Sequence, residues 1–277
     1  MTMKSAVKHI TLLYILLILL MSLAGSLDGI LASVAEVAAY AIPLVIGYVY
    51  SRKQRREREE LSGVAEREST LLSVRGLHKY IPLFMPSVTV IFLIAWLTSL
   101  LLGLLGKTPS EVPVTSLAMM LLTHALVPAV LEELAFRYLP MKLLRPYSPR
   151  WCVILSAMFF ALAHISLFQI PYALIAGVIF ILIDMACDSV IPSLLLHFLN
   201  NAVSVLWIKW GGSESFALGF IITLIVLSLI SLAVAFFMRK RYAEDVRRAF
   251  ADGEGVGDAY APTVFALAMI GLALMNI

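Results

Sequence analysis

Long charge-poor runs, separated by short polar segments, dominate the chain. They cover residues 6–26, 30–50, 82–106, 113–138, 151–168, 171–187, 190–209 and 215–238, and a shorter ninth run, 262–277, closes the sequence. About 20 consecutive apolar residues carry a helix across the roughly 30 Å of a bilayer's hydrocarbon core. Lipid offers backbone groups no partners, and no run alternates polar with apolar residues as a strand does, so each run is predicted to be a helix. The pattern therefore predicts an all-α, polytopic transmembrane bundle of about eight spans, with 262–277 as a candidate ninth. Composition agrees, since 61% of residues are hydrophobic and only 14% charged, against about a quarter charged in soluble domains. No repeat, low-complexity linker or break in composition divides the chain, so 1–277 reads as a single membrane domain.

Charge adds an orientation. Between runs two and three lie Arg52, Lys53, Arg55, Arg56, Arg58, Arg67, Arg75 and Lys79. Lys142, Arg145 and Arg150 follow run four, and Arg239, Lys240, Arg241, Arg247 and Arg248 follow run eight, while the alternate loops hold little beyond Lys107 and Lys209. Cytoplasmic loops carry the excess of Lys and Arg. The expectation is thus an integral, multi-pass protein of the cytoplasmic or inner membrane, with a cytoplasmic N-terminus. Run one is read as an uncleaved span rather than a signal peptide, although Lys4 and Lys8 precede it. The segment SRKQRREREE is expected to extend the second helix into water with its charges paired locally. Cys152 and Cys187 have no CxxC spacing and no histidine within their own helical turn, and are read as packing residues. Membrane lipid is an expected partner and nucleic acid is not.

Against this apolar background the ionisable side chains stand out, because each is costly at membrane depth and calls for a partner. They are Glu36, His124, Glu132, Glu133, Arg137, His164, Asp184 and His197, accompanied by Asn200 and Asn201. Most fall between runs four and seven. In EELAFR, Glu133 and Arg137 are i, i+4 neighbours, about 40° apart on a helical wheel, and can neutralise each other. Glu132 is about 140° from Arg137 and faces elsewhere without a local cation. A lone carboxylate in a low-dielectric site is a candidate general base. Pro128, one turn earlier, deprives the His124 carbonyl of its helical partner and favours a kink. FALAH sets Phe160 and His164 one turn apart, and HFLNN does the same for His197 and Asn201.

EELAFR, FALAH and HFLNN follow one another with 27 residues from Arg137 to His164 and 33 from His164 to His197. In that order they resemble the three signature motifs of the CPBP family, also called Abi, which groups CAAX prenyl endopeptidases with bacteriocin-processing and self-immunity proteins. The resemblance covers residues 113–209, placing the catalytic core in spans four to seven. It implies an intramembrane endopeptidase that removes the C-terminal tripeptide of a prenylated CAAX protein. By position it implies Glu132 as the base that activates water, His164 as the residue helping to hold or activate that water, and His197 with Asn201 as the pair that polarises the carbonyl and stabilises the oxyanion. Glu133 and Arg137 become the structural ion pair. The implied partner is a prenylated or other membrane-associated peptide or protein, and no cofactor is implied.

Alternatives remain open at this level. Zinc held by Glu132, His164 and His197 would make the protein a membrane metalloprotease, though HExxH is absent and Asn201 is a poor zinc ligand. A non-enzymatic immunity factor or scaffold could retain the fold without its chemistry. A proton-relaying transporter is the third alternative, but the chain shows no repeated half. Asp184 and Asp188 mark the cytoplasmic interface or, alternatively, Asp184 reaches the site. The natural substrate is not written in the sequence.

Overall fold

The structure is a computed structural model and describes residues 3–27, 29–63, 71–109, 112–164 and 166–251. The candidate ninth span, 262–277, and Arg67 lie outside the described residues. Eight helices are seen among them: α1 (Met3–Ala24), α2 (Gly29–Ser62), α3 (Phe84–Leu104), α4 (Leu117–Leu143), α5 (Pro149–Ala163), α6 (Ile170–Cys187), α7 (Ile191–Trp210) and α8 (Glu214–Ala251). No strand occurs among the described residues. Seven of these helices, among the described residues, are long and apolar enough to cross a membrane. The protein is an all-α, polytopic, integral membrane bundle.

The exception is α5. Ser148 starts it by accepting a hydrogen bond from the Trp151 amide, and it stops after 15 residues with His164 as its C-cap. The run predicted over 151–168 is therefore not helical to its end. Irregular backbone at membrane depth survives only where protein buries it or a cavity wets it, and this is where FALAH delivers its histidine. α2 departs in the other direction. SRKQRREREE stays helical to Ser62, with Arg55 Nε 2.9 Å from Glu59 Oε1, as its alternating charges predicted.

α4 is continuous but not regular. Widened π-helical turns interrupt it at Leu122–Leu126 and Leu134–Tyr138. Each lies just ahead of a proline, Pro128 or Pro140, whose ring would collide with the carbonyl four residues back. The chain relieves that collision by bonding Val127 N–H to Leu122 O and Leu139 N–H to Leu134 O, one residue further back than an α-helix does. Displaced carbonyls find partners on neighbouring helices: Tyr14 O–H donates to Ala135 O at 3.1 Å, and the Ser156 hydroxyl donates to Phe136 O. The kink expected at Pro128 is thus absorbed as a wider turn.

The core sits where α4, α5, α6 and α7 meet, around buried Phe136, Phe160, Phe180, Leu155 and Leu196. Cys152 is buried there as a free thiol. α5 and α6 approach closely because Gly177 has no side chain: a Cβ there would lie 2.8 Å from Ala157 Cα and 3.1 Å from its Cβ. Small residues at such crossings set how near two membrane helices can come. Gly177→Ala is expected to lower stability by about 1–3 kcal/mol through overpacking, seen as an earlier thermal transition in detergent. An unshifted transition would mean that α5 can move aside without cost.

Candidate active site

EELAFR straddles the start of the second π turn, so its two glutamates end a regular helical segment and its arginine lies in the widened one. Arg137 and Glu133 are both fully buried, with Nε 3.2 Å from Oε2. The guanidinium lies over two aromatic faces, its Cζ 4.1 Å from the Phe160 centroid and 5.2 Å from that of Phe180. Rings this close supply a cation with electrostatic stabilisation where water is absent. Glu133 does more than balance Arg137, however. Its other oxygen, Oε1, accepts Nδ1–H of His197 at 2.7 Å, joining α4 to α7.

Glu132 turns the other way. Its side chain keeps 14% of its surface exposed, and its Oε2 lies 3.8 Å from His197 Nε2. That gap exceeds a hydrogen bond, and Oε2 has no hydrogen-bond partner among the described residues. The two adjacent glutamates therefore address opposite nitrogens of one imidazole. Glu133 holds Nδ1, and Glu132 faces Nε2.

His164 reaches the same aromatic group from α5. Its Nδ1 donates to Phe160 O at 2.8 Å, which leaves Nε2 as its acceptor. Phe160 stands edge-on to both histidines, with centroids 4.9 Å from His164 and 5.6 Å from His197. Asn201 lies one turn beyond His197 on α7. Its Oδ1 accepts from Asn200 Nδ2 at 3.3 Å, so its own amide N–H groups are the part left to address another acceptor.

The remaining ionisable residues divide. Asp184 is fully buried, and its Oδ1 accepts the Ser193 backbone N–H at 3.0 Å, capping the first turn of α7 from outside. Asp188 stands at the turn that follows α6 and is ion-paired with Arg145. His124 and Glu36 are exposed. Two tyrosines that no motif marks feel the Glu132 charge, Tyr40 of α2 and Tyr172 of α6, the latter with its ring centroid 6.4 Å from that of His164. Only a phenol facing inward on an otherwise apolar helix could have signalled Tyr40, and many packing tyrosines look the same.

Among the described residues, no three His, Cys, Asp or Glu side chains gather closely enough to hold a metal ion. Glu132, His164 and His197 do not form such a group in this structure.

One comparison bears on this geometry. Residues 114–203 match the family model described as type II CAAX prenyl endopeptidase Rce1-like. The match falls over the segment that carries EELAFR, FALAH and HFLNN, in line with the resemblance read from them. The Rce1-like segment includes Glu132, Glu133, Arg137, His164, His197 and Asn201, and leaves α1, α2, α3 and α8 outside. No curated protein and no solved structure matches the chain.

Proposed function

We propose that this protein is an intramembrane endopeptidase in which Glu132 activates water against a peptide bond, with prenylated CAAX tails as its substrate class. The family match supports the protease class. The observation that carries the residue assignment is Glu132 itself, a partly buried carboxylate whose enclosed Oε2 has no hydrogen-bond partner among the described residues and faces a histidine whose other nitrogen is already held.

In the proposed reaction a water sits between Glu132 and the acceptor Nε2 of His164. Glu132 takes a proton from it as the water oxygen bonds to the scissile carbonyl carbon. The carbonyl electron pair moves onto oxygen, and that oxyanion accepts hydrogen bonds from the Asn201 amide and from His197 when Nε2 carries a proton. When the tetrahedral intermediate collapses, the C–N bond breaks and the proton on Glu132 passes to the leaving nitrogen. Glu133 fixes the His197 ring, and Arg137 balances the charge on Glu133. The positive charge of the loops supports a cytoplasmic α4–α5 turn, the side from which a lipid-anchored C-terminal tail would arrive.

The test is release of a tripeptide, identified by mass, from a prenylated CAAX peptide by the full chain reconstituted in lipid. No product from the wild-type chain would overturn the assignment and favour a non-enzymatic membrane protein. Exhaustive removal of metal is expected to leave the rate unchanged. A loss restored by added zinc would instead recruit Glu132, His164 and His197 as ligands.

A further inference from the structure

The geometry points to Asp184 of α6 as a positioning residue for His197: by capping the first turn of α7, it fixes the height and rotation at which the imidazole meets the two glutamates. The catalytic consequence rests on the proposed role of His197, but the placement itself does not.

Two contacts define the register. α6 and α7 are joined by the three residues 188–190 and so run antiparallel. Phe180 and Asp184 are one turn apart on α6, and Ser193 and His197 are one turn apart on α7. Both helices are regular over these residues. The Phe180 ring centroid lies 5.5 Å from that of His197, and Asp184 Oδ1 accepts the Ser193 N–H at 3.0 Å. One turn of α6 is therefore laid against one turn of α7, ring beside ring at one level and carboxylate on amide at the next. A ring contact tolerates a range of separations and tilts, whereas a hydrogen bond to one backbone amide does not. Of the two contacts, the Asp184 bond is the one that fixes the register.

The start of α7 depends on that bond. Its N-cap is Val190, which has no side-chain acceptor. Ile191 N–H is accepted by Ser189 Oγ at 3.2 Å, Pro192 has no N–H, and Leu194 N–H reaches Val190 O at 3.1 Å. That leaves the Ser193 N–H for Asp184. A serine or threonine at position 190 would offer a cap from within the chain's own turn. Instead the acceptor is a carboxylate buried on α6, whose Oδ2 has no hydrogen-bond partner among the described residues. Burying a carboxylate for one hydrogen bond is a costly way to stabilise a helix end. It is an effective way to lock one helix to another, and the next turn of α7 carries His197. There the buried imidazole has Nδ1 2.7 Å from Glu133 Oε1 and Nε2 3.8 Å from Glu132 Oε2. A small slide or rotation of α7 changes both distances.

The experiment compares Asp184→Asn, which keeps an oxygen for the Ser193 N–H, with Asp184→Leu, which has a similar shape and no acceptor. The full chain is reconstituted in lipid nanodiscs with nitrogen-15 in its histidine rings, and the resonances that vanish in His197→Gln belong to His197. In Asp184→Leu those resonances are expected to move. On a prenylated CAAX peptide its kcat is expected to fall by roughly 10- to 100-fold with KM unchanged, since an ångström of misplacement can cost about 100-fold. Asp184→Asn is expected to keep the wild-type resonances and a rate close to wild type. If Asp184→Leu is not recovered folded, Asp184→Ala takes its place beside the Asn variant. Unmoved His197 resonances in the Leu variant would reduce Asp184 to a structural cap and overturn the positioning role, and so would an Asn variant as impaired as the Leu one. A raised KM at unchanged kcat would overturn it as well. An inactive wild-type chain would sink the proposed function alone, leaving the resonances to decide the placement.

Discussion

Glu132→Gln lowers the rate of peptide cleavage by roughly 10²–10⁴-fold, the usual contribution of a positioned general base, while the protein folds as before. Glutamine has the shape of glutamate but cannot take a proton from water. Folding is spared because Glu132 is not part of the buried ion pair and its Oε2 has no hydrogen-bond partner to lose. The contrast is with Glu133→Gln, which disturbs both Arg137 and His197. Initial rates on a prenylated CAAX peptide, set beside thermal transitions of the same preparations, check both halves. Equal rates for Glu132→Gln and wild type would remove Glu132 from the chemistry.

Arg137→Ala has the largest expected effect on stability. The guanidinium is fully enclosed, paired with Glu133 and lying over Phe160 and Phe180. Removing it strands the Glu133 carboxylate in a medium that cannot solvate it, and breaking a buried pair in this way costs about 3–5 kcal/mol. It also opens a gap between two aromatic rings, so loss of packing adds to loss of charge. The expected result is a chain recovered in low yield, or one that unfolds well below the wild-type temperature in detergent. Arg137→Lys should restore little, because a compact ammonium cannot spread across the rings as a planar guanidinium does. A folded, thermally unaltered Arg137→Ala protein would show that Glu133 is content with His197 alone.

Much of this arrangement could be read from residues close together in the chain. The wheel separates Glu132 from Arg137 and joins Glu133 to it, because four residues nearly complete a helical turn. The structure contains that Glu133–Arg137 pair and turns Glu132 away from it. The charge pattern of SRKQRREREE likewise foretold a helix that outlasts its apolar run. What could not be read depends on distant partners. Glu133 meets His197 across 64 residues of chain, and nothing in EELAFR says which glutamate oxygen will find an imidazole. Asp184 reads as a charge beside the turn of MACDSVIP, and nothing there announces that the Ser193 amide holds it in a buried site. α5 reads as a full span because its apolar run continues past His164, whereas the helix ends there.

A π turn holds one residue more than the turn it replaces, and one residue is about 100° of rotation. α4 is therefore three short rods in different phase, with both glutamates on the middle one. Deleting a single residue from Leu122–Leu126 would leave the middle rod's own hydrogen bonds untouched, yet it would swing the carboxylates more than a quarter-circle relative to the rod before them. The aim of Glu132 is thus set by a count of residues as much as by any neighbour, and two sequences that align here with a one-residue gap are not expected to point the same side chain at the same histidine.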